Sequence, residues 1–91
     1  MKKQAVYLAS TLSALQLEIL KSVALGQTTR QIANQSIYSY DSMKTFRKEL
    51  YQIIMCHSEQ EAMIFAMEAD IITYQDWIQI MSARYGSIIV P

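Results

Sequence analysis

Glycine and proline are nearly missing from this chain, with two and one among 91 residues. A chain so poor in turn formers and rich in Leu, Ile, Met, Ala and Gln favours helices joined by short turns. At 52% hydrophobic and 18% charged, it is globular rather than disordered. Cysteine is as scarce. Cys56 stands alone, which excludes an intrachain disulfide and fits a reducing compartment. His57 beside it is the one histidine, so no second Cys or His completes a metal site. Neighbours in sequence at a helix end point apart, which also argues against a Cys56–His57 nucleophile–base pair. No apolar run approaches the ~20 residues needed to span a bilayer. The opening "MKKQAVYLASTLSALQLEIL" starts like a secretion signal, but Gln16 and Glu18 interrupt its apolar run. Ala14-Leu15-Gln16 is also a poor cleavage site. A cytoplasmic protein with no cofactor, no metal and no enzymatic chemistry is expected.

Charge is balanced overall but unevenly placed. Between residues 21 and 48, Lys21, Arg30, Lys44, Arg47 and Lys48 are set against Asp41. From 49 to 91 the order reverses, with Arg84 against Glu49, Glu59, Glu61, Glu68, Asp70 and Asp76. A basic middle can serve as an anion-binding surface even in a neutral chain.

Helix starts are legible from hydroxyl residues followed three positions later by Gln, Glu or Asp. Ser13 with Gln16 opens a helix over about 14–25 carrying Leu20, Val23 and Ala24, and Gly26 suits the left-handed position that ends it. Thr28 with Gln31 opens a short helix that turns Ile32 and Ala33 inward. Ser39 reads as the next N-cap, with Asp41 in the first turn, where the helix dipole favours a carboxylate. Met43, Phe46, Leu50 and Ile54 then form one buried stripe over about 39–54, leaving Lys44, Thr45, Arg47 and Lys48 facing outward. Ser58 with Glu61 precedes a helix holding Ala62, Phe65, Ala66 and Ala69. Thr73 with Asp76 caps a last helix over about 74–84, where Trp77 and Met81 are stacked one turn apart. Gly86 stops it before the apolar "SIIVP". The expectation is five helices in one all-α domain, residues 1–91, with no repeat, linker or low-complexity segment.

Two short helices joined by about four residues, the second with basic residues outward, fit a helix-turn-helix, whose second helix enters the major groove. On charge alone the cluster reads as a solvated helix face. The detailed sequence adds more. "LSALQLEILKSVALGQTTRQIANQSIYSYDSMKTFRKEL" resembles the LuxR-type DNA-binding domain. That family's pattern runs Leu-Thr-x-x-Glu-x-Glu-Val-Leu, then Ala-x-Gly-x-Ser/Thr-x-Lys-Glu-Ile-Ala, then Ile-Ser-x-x-Thr-Val-Lys-x-His. Leu12, Ser13, Glu18, Ile19 and Leu20 answer the first block; Ala24, Gly26, Thr28, Arg30, Ile32 and Ala33 the second; Ser39, Ser42, Met43 and Lys44 the third. Ser58, Glu61, Ala62, Phe65, Ala66 and Ile72 follow the family's fourth helix, so the resemblance runs without a gap from 12 to 72.

The resemblance implies a four-helix domain whose third helix reads double-stranded DNA, usually as a dimer joined through the fourth. Residues 73–91 extend that core by an extra helix and an apolar tail. Carried over by position, Lys44, Thr45 and Lys48 take base-reading places, Arg30 matches a phosphate-contacting lysine, and Ser42 and Arg47 lie near the backbone or base edges. Lysine can donate to guanine O6 and N7, and cations at phosphates add affinity by releasing counterions. Met63 and Met67, one turn apart, are either core or a homodimer contact. Tyr38 and Tyr40 flank the turn, either packed or hydrogen-bonding phosphates.

Some residues depart from the pattern. Asp41 places negative charge near a phosphate, Phe46 replaces a common histidine, and Gln52 and Ile53 replace a frequent basic pair. Met55 and Asp70 stand where glycines end the third and fourth helices, which implies a strained turn or a longer helix. Leu15 and Leu17 replace polar residues, adding apolar area that a partner or the C-terminal segment would cover. A small stand-alone transcription regulator is expected, with no sensor domain upstream. The alternative is a module that binds another regulator or polymerase through Leu15, Leu17 and the acidic half.

Overall fold

The computed structural model of the chain describes residues 2–85. Within them the architecture is all-α: α1 (Lys2–Ser10), α2 (Ala14–Ala24), α3 (Thr29–Asn34), α4 (Tyr40–Ile54), α5 (Glu59–Glu68) and α6 (Tyr74–Tyr85). The five expected helices are present, and α1 makes a sixth that the sequence reading did not anticipate. Its sequence has no N-capping hydroxyl, and its start resembles a signal segment. Its inward side is nevertheless periodic: Ala5 is buried, Leu8 and Ala9 are half-buried against the core, and Leu12 follows one turn later. α1 packs on α5 and α4. Gly86, the "SIIVP" tail and the Met81 side chain lie outside the described residues.

Local chemistry sets the helix ends. Ser13 Oγ accepts from Gln16 N at 3.1 Å while Gln16 Oε1 accepts from Ser13 N at 2.8 Å. Thr28 and Gln31 repeat that reciprocal pair at the same distances. Each pair satisfies two amides that the first helical turn leaves without partners. The Ser58 start differs from expectation. Ser58 Oγ accepts from Glu61 N, but the Glu61 carboxylate reaches one residue further back, to His57 N at 2.8 Å. At the other end of α2, Gly26 adopts φ 87°. Its N–H bonds to Val23 O and that of Gln27 to Ser22 O, which closes the helix as a Schellman motif.

Met55 and Asp70 keep the turn rather than lengthen the helix. Both sit in the left-handed region, at φ 59° and 60°. The following amides, Cys56 N and Ile71 N, bond back to Tyr51 O and Ala66 O. Left-handed backbone costs an L-residue roughly 1–2 kcal/mol, and aspartate tolerates it better than methionine does. Met55→Gly is therefore expected to stabilise the domain by about 0.5–1 kcal/mol, glycine's greater freedom in the unfolded chain offsetting part of the gain. Chemical denaturation of the two proteins measures this.

The core forms where α2 crosses α5 and α4, and α3 packs mainly on α4. Leu20, Val23, Ala24, Leu50, Ala62 and Ala66 are fully enclosed. Alanines at 62 and 66, one turn apart, let α5 approach its neighbours closely. Leu17 is half-buried against this core and Leu15 is exposed at its edge, so the domain itself covers part of the apolar area expected to need a partner. Trp77 and Ile80 of α6 also pack against the core.

Thr73 and Asp76 make a third reciprocal cap at the start of α6. The Thr73 amide, and after it the Thr73 hydroxyl, hold the Asp76 carboxyl below the usual carboxylate range. A depressed folded-state value means the contribution is complete above the ordinary aspartate pKa and is lost as pH falls through the lower folded one. On acidification α6 is expected to loosen at its first turn, where Trp77 stacks on Tyr74 at 5.7 Å. Trp77 emission should change in that acid range, and Asp76→Asn should remove the transition.

Candidate nucleic-acid interface

The turn between α3 and α4 holds the two helices as a unit. Ser36 Oγ donates to Ala33 O at 2.9 Å and accepts from Tyr38 N at 3.0 Å, which closes the turn over residues 33–38. Ser39 then caps α4, accepting from Ser42 N at 3.1 Å. Beneath the turn, Tyr38 and Phe46 meet edge to face at 4.9 Å. Phe46, which replaces a common family histidine, thus serves the packing of α3 on α4, and Tyr38 is half-buried with it. Buried Ile32 and Ala33 of α3 and Met43 of α4 complete the contact.

With Met43, Leu50 and Ile54 turned inward, α4 presents Asp41, Lys44, Thr45, Lys48 and Gln52 to solvent. These positions recur every three or four residues and make one exposed stripe. The expected base-reading residues Lys44, Thr45 and Lys48 share it. Thr45 Oγ1 is engaged with Asp41 O one turn back at 3.3 Å. Ser42 is half-buried at the start of the helix, its Oγ 3.1 Å from that of Ser39.

The other two expected cations are held by neighbours that the sequence did not single out for that role. The Arg30 guanidinium lies 4.5 Å from the centre of the Tyr40 ring, and Lys44 Nζ lies 5.6 Å from the same ring. Tyr40 thus gathers one cation from α3 and one from α4 beside the first turn of α4. Arg47 is half-buried. Its Nη1 donates to Thr29 Oγ1 at 2.6 Å, and its Nε and Nη2 donate to the Tyr51 hydroxyl at 3.3 and 3.0 Å. Arg47 therefore braces α3 against α4 while still lining a groove beside the stripe. Thr29 and Tyr51 become site residues by this contact: Tyr51 lies one helical turn from Arg47, whereas Thr29 is eighteen positions away, too far for helical spacing to reveal.

On α5, Met63 is buried in the domain's own core and Met67 is half-buried. The exposed apolar residue of that helix is Ile64, at 51%. Burial pushes the Cys56 thiol up, and the Glu61 charge adds to the effect, so the thiol stays protonated at neutral pH. No group of three His, Cys, Asp or Glu that could hold a metal occurs among the described residues. No helix among them is long and apolar enough to cross a membrane.

Residues 10–66, more than half of the chain, match the family described as "Bacterial regulatory proteins, luxR family". No curated protein and no solved structure matches the chain.

Proposed function

The chain belongs to the LuxR family of bacterial regulatory proteins, and from that premise we propose that it binds double-stranded DNA with α4 in the major groove. The observation that carries this reading is the shared exposure of Lys44, Thr45 and Lys48 on one stripe, with Arg30 and Arg47 flanking it from the α3 side. A major groove about 12 Å wide admits such a helix, and the two lysines reach base edges while the arginines meet phosphates. Arg30 and Lys44 gathered on Tyr40 put paired positive charge where a phosphate passes the start of α4. Asp41 and Gln52, at the two ends of the stripe, weaken backbone attraction there and leave the centre to supply the affinity.

Two copies of the domain pair through the outer side of α5, with Ile64 and half-buried Met67 in the contact and Met63 supporting it from inside. Such a dimer reads two half-sites related by two-fold symmetry. Amide chemical-shift mapping with a duplex tests the DNA contact. Changes concentrated at Thr29–Arg30 and along 40–52 are expected; changes confined to α1 and α5 would reject it. Sedimentation tests the pairing: a concentration-dependent dimer is expected, converted to monomer by Ile64→Lys.

A further inference from the structure

The groove that Arg47 lines lies between the N-terminal end of α3, the outer side of α4 and the chain leaving α4, with a volume of ≈790 Å³. That is within the range of about 300–1,000 Å³ typical of small-molecule sites. Its cationic side is made by Lys44, Arg47 and Lys48, and among the described residues no carboxylate lines it. Its less polar walls come from Tyr51, Met55 and Cys56. Glu61, whose charge bears on Cys56, is occupied by the His57 amide.

Arg47 is the decisive residue. Its partners Thr29 and Tyr51 are both hydroxyl groups, so none of these hydrogen bonds neutralises its half-buried positive charge. A guanidinium has five N–H donors. Tyr51 and Thr29 occupy three, which leaves one N–H on each of Nη1 and Nη2. These two remaining donors, on a side chain already held in place, are available to the oxygens of a carboxylate or phosphate. The Tyr51 ring, centred 5.4 Å from the guanidinium carbon, and Met55, which is 68% exposed, offer apolar surface next to that charge.

We propose that this groove binds a small organic anion, a carboxylate or phosphate group carried on a flat apolar body. The oxyanion pairs with Arg47, Lys44 and Lys48 stand by it, and the body lies against Tyr51 and Met55. Lys44 and Lys48 belong to both the groove and the stripe on α4, so an occupant neutralises the side chains that would meet DNA. Ligand and duplex then exclude each other, and each weakens the other's binding by the same factor. This last consequence rests on the DNA-binding function proposed above; the site itself does not.

Phenyl phosphate, inorganic phosphate and benzyl alcohol separate the parts of the proposal when titrated into the full chain without DNA. Amide shifts at Arg47, Tyr51, Cys56 and His57 report occupancy. Phenyl phosphate is expected to saturate these shifts at a concentration about tenfold or more below inorganic phosphate, with benzyl alcohol giving none, because the site uses charge and apolar surface together. Arg47→Lys keeps the charge and loses the fork, and Lys48→Ala leaves the Arg47 contacts intact; both are expected to weaken phenyl phosphate about tenfold. Equal affinity for phenyl phosphate and inorganic phosphate would overturn the proposal, leaving a bare phosphate contact of the kind a DNA backbone fills. Shifts that never saturate, or that fall on α1 instead, would overturn it as well. In a second arm, phenyl phosphate should displace a bound duplex. A chain that binds phenyl phosphate as described but no duplex would contradict the DNA function and leave the site standing.

Discussion

Replacing Lys44 and Lys48 together by alanine is expected to lower affinity for the preferred duplex by about a hundredfold or more while leaving the fold intact. Each lysine is exposed on the stripe of α4, so truncation removes no core contact. A side chain hydrogen-bonded to base edges is worth about 1–3 kcal/mol of discrimination, and about 1.4 kcal/mol is a factor of ten in affinity. Two such losses give the hundredfold, with stability unchanged to within about 0.5 kcal/mol, as for surface positions generally. Fluorescence anisotropy on a labelled duplex, paired with thermal unfolding, measures both quantities. Arg30→Ala should act differently. It weakens specific and nonspecific duplexes alike, because a phosphate contact carries no sequence information.

Leu50→Ala makes the opposite combination: a large loss of stability, with binding lost only because the fold is lost. Leu50 is 0% exposed, on the inward side of the same helix that carries Lys48 on its outward side. Buried leucine-to-alanine changes cost about 2–5 kcal/mol, through lost burial and the cavity left behind. A domain this size has a total stability of only about 5–15 kcal/mol. The corresponding fall in melting temperature is about 8–40 °C. Leu50→Met, which conserves volume, should cost less than about 1.5 kcal/mol and keep duplex binding. Together the two pairs of variants separate the side of α4 that holds the domain from the side that meets a ligand.

How far such positions were legible in the sequence depends on how local their physics is. The Ser13–Gln16, Thr28–Gln31 and Thr73–Asp76 caps are four-residue patterns whose hydrogen bonds form within one turn, and the helices begin where those patterns place them. The stripe of Met43, Leu50 and Ile54 follows from helical spacing in the same way. α1 escaped because it has no capping hydroxyl and its charged-then-apolar start mimics a secretion signal. Its Ala5–Leu8–Leu12 side was the available clue. Glu61 bonds to His57 rather than Ser58, a one-residue choice that the capping pattern alone does not distinguish.

The environment of the cations was the least legible part. Arg30 and Tyr40 are ten positions apart on different helices, and Arg47 and Thr29 eighteen, so only the packing of α3 on α4 brings each pair together. Sequence patterning identified the charges but not that one arginine would stack on a ring and the other would brace the two helices. Met63 and Met67 show the same limit. Their spacing places them near one another on α5, but the way α5 settles on α2 turns Met63 fully inward and leaves Ile64 exposed.

The measurement that bears most directly on DNA binding by α4 is retention of pooled genomic duplex fragments by the purified chain across a series of salt concentrations, with the retained fragments sequenced. Enrichment of a two-fold symmetric site is expected, with affinity that falls as salt rises at a log–log slope of about −0.9 for every phosphate neutralised. With Arg30, Lys44, Arg47 and Lys48 as the cations at hand, that slope should be about −2 to −4 per domain. No retention even at the lowest salt would contradict DNA binding by α4.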